Sequence, residues 1–204
     1  MDRQALVCRN ILEKPDITQR EMAKNMDISL GTVNGLVKEC LAEGYIAEKE
    51  SGKEKHLILL EKGKELLKPY KVDGALIIAA GFGSRFVPLT FETPKGLLEV
   101  FGERMIERQI KQLHEVGIYD ITIAVGYLKE KFEYLIDKFD VKLLYNPEYS
   151  CKNTLATVYR ARKFLKGRNV YILSSDNWMR ENMYHSYECG AWYSAAYEEG
   201  ETKE

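Results

Sequence analysis

Backbone amides, two cations and one carboxylate are the groups in this sequence that could do chemistry together. Residues 75–95 read ALIIAAGFGSRFVPLTFETPK. The apolar run reads as a buried strand of a parallel sheet, entering a glycine-rich turn. Such a turn at the carboxyl end of a strand presents backbone N–H groups to an anion. Here that backbone is Ala79, Ala80, Gly81, Gly83 and Ser84, and Arg85 and Lys95 add two positive charges to the same loop. The combination fits a nucleoside triphosphate. Spacing excludes the commoner phosphate loops. A Walker loop closes on Gly-Lys-Ser/Thr, where this loop has Ser84-Arg85. A dinucleotide fingerprint needs a third glycine where Phe86 stands.

These groups need elements to hold them. After the first strand come an apolar-faced helix over 105–116 (Ile106, Ile110, Leu113), with Gly117 as its stop, and a strand, Ile121–Val125. A helix over 129–139 carries Phe132, Leu135, Ile136 and Phe139 at helical spacing, and a strand over 141–144 ends at Asn146-Pro147. A helix over 154–165 leads to a strand over 170–173. Alternation of this kind implies an α/β fold, a Rossmann-like, mostly parallel sheet with helices on both faces. In such sheets ligands bind at the carboxyl ends of the strands. The loop over 81–95, the pair Gly126-Tyr127 and the turn Ser174-Ser175-Asp176-Asn177 should therefore meet. A carboxylate facing a triphosphate is a natural Mg²⁺ ligand, which makes Asp176 the candidate metal residue.

Residues 1–70 have a different rhythm. Arg3–Glu13 has apolar residues at helical spacing, and Thr18-Gln19-Arg20-Glu21 is a capping-box pattern that starts a second helix. Ser29 can cap a third, whose stripe is Val33, Leu36, Val37, Cys40 and Leu41, with Gly44 as its stop. Strands over 45–50 and 55–60 flank a turn at 51–53, and Glu61–Leu67 reads as a closing helix. Three helices and a hairpin resemble a winged helix-turn-helix domain. That resemblance implies DNA contacts from the third helix, with Ser29, Thr32, Asn34 and Lys38 as candidates, and from Lys53 and Lys55 on the wing. Against it, residues 1–70 carry as many acids as bases and the third helix has no arginine, so a dimerising or docking role stays open. The sequence thus divides into residues 1–70, a linker from Lys68 to Gly74, and a second domain within 71–204.

The second domain can be narrowed. The pattern G-x-G-x-R-x-x-P-x-T-x-x-x-P-K is filled by Gly81, Gly83, Arg85, Pro88, Thr90, Pro94 and Lys95, and it resembles the signature of the sugar-phosphate nucleotidyltransferase superfamily. The segment from Val125 to Phe132, and Asn146-Pro147-Glu148-Tyr149 followed by Asn153-Thr154, resemble the bacterial CTP:phosphocholine cytidylyltransferases. In that group 174–177 corresponds to a D-x-D-N metal segment, and this chain departs from it at Ser174. The resemblance implies transfer of a nucleotidyl group from CTP to a small phosphorylated acceptor, with Mg²⁺. It assigns charge neutralisation to Arg85, Lys95 and Asp176, and nucleotide contacts to the 79–84 backbone, Gly126, Tyr127, Asn153 and Thr154. Trp178, Trp192, Tyr184, Tyr187, Tyr193 and Tyr197 are candidates for a cage around a quaternary ammonium. Two alternatives remain: a sugar-1-phosphate nucleotidyltransferase, and a DNA-binding regulator using the α/β domain as a nucleotide sensor. The resemblance also implies that the domain is incomplete at its C-terminus.

Composition bounds the rest. With 204 residues, 45% hydrophobic, 30% charged and a net charge of -1, the chain reads as globular rather than as a basic nucleic-acid binder. Cys8, Cys40, Cys151 and Cys189 form no metal or disulfide spacing, and no apolar run is long enough for a membrane span. A cytoplasmic location is expected, with a homodimer through residues 1–70 as one outcome.

Overall fold

The structure is a computed structural model that describes residues 2–51 and 54–193. It divides into two compact units, Met1–Tyr70 with the chain from Tyr187 onward, and Lys71–Ser186.

In the first unit, α1 (Arg3–Glu13) is capped by Asp2, whose carboxylate accepts from the N–H groups of Gln4 and Ala5 at 3.0 and 3.1 Å. The capping box at Thr18 forms as the sequence predicts and starts α2 (Gln19–Asn25). Ser29 caps α3 (Leu30–Ala42), and Gly44 leaves it at a φ of 72°. β1 (Ile46–Ser51) and β2 (Glu54–Leu59) pair antiparallel with Ile46 opposite Leu59, and α4 (Glu61–Leu67) follows. Leu6, Ile11, Met22, Val33, Val37 and Leu67 are among the buried residues of the core. The chain rejoins this unit at Tyr187, although the sequence division assigns 71–204 to the second domain. Cys189 is 3% exposed in the same core, Arg9 pairs with Glu188 at 3.2 Å, and the Glu188 N–H donates to Tyr70 at 2.8 Å. Residues 191–193 have no regular structure, and those from 194 onward lie outside the described residues.

The second unit is built on four parallel strands. β3 (Gly74–Ala79) is followed by a short hairpin of β4 (Glu99–Val100) and β5 (Glu103–Arg104), then α5 (Met105–Glu115). β6 (Ile121–Val125), α6 (Tyr134–Phe139) and β7 (Lys142–Tyr145) come next, and α7 (Thr154–Arg160), α8 (Arg162–Leu165) and β8 (Val170–Ser174) complete it. The sheet order is β7-β6-β3-β8, all parallel, which places the apolar run of β3 inside the sheet. Alternation along β3 serves two cores. Ala75 and Ile77 pack with Ile106, Ile110, Leu113, Phe132 and Leu135 on one face, and Leu76 packs with Ala124 and Ala161 on the other.

Three details depart from the sequence reading. The hairpin turn at Phe101-Gly102 has positive φ at both residues, 53° and 78°, the geometry of a tight primed turn. Phenylalanine is a poor signal for that conformation, so the hairpin goes unseen in the sequence. The helix expected over 129–139 is a 3₁₀ turn, Lys129–Phe132, followed by α6. A 3₁₀ turn advances each residue by more than an α-helix does, so the apolar stripe does not stay on one face. Phe132 and Leu135 are fully buried, while Ile136 is 43% exposed. The helix over 154–165 breaks at Ala161, whose φ and ψ of -77° and 1° leave the α-helical region.

This difference within one stripe can be measured. Phe132→Ala should destabilise the second unit by about 3–5 kcal/mol through the cavity it leaves. Ile136→Ala should change stability by no more than about 0.5 kcal/mol. Urea unfolding of both variants tests the phase break, and equal losses would contradict it.

Candidate active site

The register of the sheet brings the candidate loops to one edge. Ala79 lies opposite Val125, Ile78 opposite Ser174, and Val125 opposite Tyr145. In the first loop the N–H groups of Gly81, Phe82, Gly83 and Ser84 donate to no acceptor among the described residues. Gly83 is left-handed, with φ at 66°, and an added Cβ would lie 3.0 Å from Thr90 Cγ2 and 3.2 Å from Lys95 Cβ. Any larger residue would be strained and would push on Lys95. Thr90 Oγ1 donates to the Gly83 carbonyl at 3.0 Å, which ties the far part of the loop back to the turn. Arg85 lies on the 3₁₀ turn Ser84–Phe86, exposed, with no ion pair among the described residues.

Lys95 and Asp176 are in direct ion contact, each side chain 21% exposed. The Lys95 ammonium also lies 4.4 Å from the centre of the Phe86 ring. Ser174, where the resembled segment has an acid, donates its hydroxyl to Asp176. Burial works to raise the Asp176 carboxyl, but the Lys95 contact and the Ser174 hydroxyl outweigh it and hold the group below its ordinary value. Asp176 is therefore ionised at neutral pH. The turn that carries it is held from two further sides. The Ser175 N–H donates to Ile78 at 3.1 Å, and Ser175 lies so close to Gly96 that a Cβ there would come within 2.7 Å of it.

A residue the sequence reading missed completes the support. Gln109 on α5 is 1% exposed, and its Nε2 donates to the carbonyls of Ser174 at 2.9 Å and Asn177 at 2.6 Å. The available signal was an amide one turn before Leu113, on the edge of the face that carries Ile106 and Ile110.

The second loop joins the first. The Tyr127 N–H donates to Ala80 at 3.1 Å, and its hydroxyl donates to Phe91 at 3.0 Å. Gly126 has no room for a side chain, since a Cβ would meet Tyr149 Cβ at 2.6 Å and the Ala80 carbonyl at 2.7 Å. The Phe82 ring lies 5.1 Å from that of Tyr127 and 5.3 Å from that of Tyr149. Asn153 instead caps α7, accepting from the Leu155 N–H at 3.1 Å. Neither Asn153 nor Thr154 hydrogen-bonds to the other loops among the described residues.

The expected aromatic cage needs correction. Tyr184 is a core residue whose ring lies 5.0 Å from that of Tyr171, tilted by 53°, and Tyr187 packs against the core of the helical unit. Trp178 has the Arg108 guanidinium over its ring at 4.7 Å and Phe101 beside it at 5.1 Å. Trp192 and Tyr193 belong to the helical unit, and Tyr197 lies outside the described residues.

Among the described residues no cluster of three His, Cys, Asp or Glu side chains could hold a metal. Mg²⁺ needs only one or two carboxylates when phosphate oxygens supply other ligands, so a single ionised Asp176 suits it.

On the helical unit, Asn34 and Lys38 are exposed on α3. Ser29 and Thr32 are joined by their hydroxyls at 2.8 Å, and Ser29 also receives the Thr32 N–H. Lys55 is held by Glu48 at 3.2 Å and Glu50 at 3.8 Å, which offsets its charge. Lys53 lies outside the described residues.

Amides free among the described residues, a lysine and an ionised carboxylate thus lie in the loops at one edge of a parallel α/β sheet. The chain belongs to the nucleotidyl transferase family, whose model matches residues 74–191. Residues 9–47 match the model for winged helix-turn-helix DNA-binding domains. Over 130 residues the chain is 41% identical to the choline-phosphate cytidylyltransferase of Streptococcus pneumoniae, covering 64% of this chain and 56% of that protein. Over 103 residues it is 43% identical to the 2-aminoethylphosphonate cytidylyltransferase of Lancefieldella rimae, covering 50% of this chain and 42% of that one. A solved CTP:phosphocholine cytidylyltransferase from Streptococcus pneumoniae is similar at a TM-score of 0.54 and 43% identity, over 57% of this chain and 50% of that one. The chain spans about half the length of these relatives.

The Lys95–Asp176 contact makes a prediction about pH. The folded carboxyl lies below its ordinary value of about 3.9, so its stabilising effect is present above that value and fades as pH falls through the folded one. The stability difference between the wild type and Asp176→Asn should be largest near neutral pH and vanish in acid. Denaturant unfolding of both proteins across that range checks it. A difference that grows toward acid would contradict the assigned pair.

Proposed function

We propose that this chain carries the nucleotide-binding part of a cytidylyltransferase, moving CMP from CTP to a small phosphorylated or phosphonylated amine-bearing acceptor, with phosphocholine favoured. The observation that carries the reading is the row of four N–H groups at 81–84, free among the described residues, in the loop whose Lys95 contacts Asp176. The N–H groups would hold the triphosphate, and Arg85, exposed and unpaired among the described residues, would meet its outer phosphates. Lys95 would neutralise charge as the acceptor's phosphate oxygen attacks the α-phosphorus and pyrophosphate leaves. No general base is required, because a phosphate with a second pKa near 6 is already anionic at neutral pH. Asp176 would hold Mg²⁺, which supplies charge neutralisation at the phosphates when bound. The Gly126-Tyr127 pair would line the nucleotide site, with Asn153 and Thr154 further out. Four free cysteines suit a reducing cytoplasm, and no helix among the described residues is long and apolar enough to cross a membrane.

The thermal shift tests nucleotide choice. CTP with Mg²⁺ should raise Tm more than UTP, ATP or GTP does. Lys95→Ala should lower turnover of CTP with phosphocholine by about 10²-fold or more. Equal shifts for UTP and CTP would favour the sugar-1-phosphate alternative, and an unchanged turnover would remove Lys95 from the chemistry.

The match of residues 9–47 supports a second role, DNA binding by the helical unit. Any affinity must rest on few cations, because Lys55 is already held by two glutamates. Lys38 is the exposed cation of α3, so Lys38→Ala should flatten the dependence of log K on log salt by about one. Anisotropy titrations on a duplex at several salt concentrations read this directly. Absence of binding at low salt would leave dimerisation or docking as the role of this unit.

A further inference from the structure

We infer that Gln109 is the positioning residue for Asp176, and this rests on the reading of Asp176 as the metal-holding carboxylate. The Gln109 side chain is 1% exposed on a face of α5 where Ile106, Ile110 and Leu113 are all fully buried. An apolar residue would suit that setting better unless the amide has work to do. Its Nε2 donates to the carbonyls of Ser174 and Asn177, at 2.9 and 2.6 Å, so both hydrogens are used and they bracket Asp176 in the chain. The opposite orientation of the amide would aim an oxygen at two carbonyl oxygens, so the donor assignment is forced. The Gln109 Oε1 is buried with no hydrogen-bond partner. An orphaned buried acceptor is unfavourable, and the two bonds on the other side of the same amide give a reason for keeping it.

The turn needs this support. Residues 174–177 lie at the carboxyl end of β8, which among the described residues pairs with β3 alone, so strand pairing holds this end from one side there. Ser175 is fixed by Ile78 and pressed by Gly96, while Asp176 is drawn toward Lys95. Gln109 closes the turn from below by joining its first and last carbonyls. The carboxylate is then presented at one height whether or not Lys95 lets go of it. Groups that orient a metal-binding side chain typically change metal affinity by about 10- to 100-fold when removed.

The same helix supplies a comparison residue. Gln112 is 4% exposed, its Nε2 donates to the Met179 carbonyl at 3.1 Å, and its Oε1 is also without a partner. It anchors the chain beyond the turn rather than the turn itself.

The test titrates Mn²⁺ into the chain at saturating CTP and follows Tm, with CTP plus EDTA as the metal-free reference. The proteins are the wild type, Asp176→Asn, Gln109→Met and Gln112→Met. Methionine keeps the volume of glutamine and removes its donors. Gln109→Met should raise the Mn²⁺ concentration for the half-maximal shift by about 10-fold or more. Gln112→Met should lose similar stability without metal yet stay within about twofold of the wild type in Mn²⁺ response. If Gln109→Met responds like the wild type while Asp176→Asn loses the shift, the inference about Gln109 is overturned and the metal reading stands. If Gln112→Met weakens the response as much as Gln109→Met, the effect is general loosening and the inference also fails. A wild type without a metal-dependent shift, or an Asp176→Asn protein that keeps it, overturns the metal reading and the inference together. Should Gln109→Met not fold, Gln109→Leu removes the same donors with an apolar side chain suited to the face of Ile106, Ile110 and Leu113, and the same outcomes apply.

Discussion

Parallel pairing of β8 with β3 is the constraint on which the site depends. It sets Ser174 opposite Ile78, and from there Asp176 reaches Lys95 at the far end of the first loop. The contact is worth making only because both groups are partly buried, where a charge without a partner is costly. One ion pair therefore reports on sheet register, loop closure and carboxylate ionisation at once. It also leaves Asp176 charged, the state in which a cation can be held.

Much of the site is backbone rather than side chain. The four free amides at 81–84 need a turn that only a left-handed Gly83 can make without pushing on Lys95. Gly96 and Gly126 serve a different purpose, since each is a place where a neighbouring segment, at Ser175 or Tyr149, comes too close for a Cβ. The loops therefore pack against one another with little freedom. An edge built in this way would be pre-organised for the polyphosphate proposed to bind there, which would lower the entropic cost of fixing it.

The helical unit follows its own logic. Its caps are local and its core is ordinary, but it also takes in Cys189 and pairs Glu188 from the chain just after the second unit. The Arg9–Glu188 pair, with side chains 12% and 14% exposed, anchors that returning segment. On the outer face charge is nearly cancelled, with Lys55 between two glutamates, so this unit lacks the basic field typical of strong non-specific DNA binders.

Local signals in the sequence determined most of the elements. Apolar spacing placed α1, capping residues placed α2 and α3, the alternation of strands and helices gave the parallel sheet, and the residues from Gly81 to Lys95 marked the long loop after its first strand. Those features are legible because each depends on neighbours in the chain: a cap on the next turn, a glycine on its own φ, a strand on its own apolar run. The break after Phe132, the turn at Phe101-Gly102, the return of Glu188 and Cys189 to the first core, and the work of Gln109 were not legible. Each depends on what lies across space. Gln109 reads as an unremarkable helical amide until the end of β8 is set above it. Tyr184 reads as a candidate cage wall until Tyr171 is packed against it. Sequence alone determined which groups could meet a triphosphate, because strand ends share an edge in any parallel sheet. Only the tertiary structure decided which buried amide ties the turn that carries the carboxylate, because that assignment rests on two hydrogen bonds between segments that sequence does not relate.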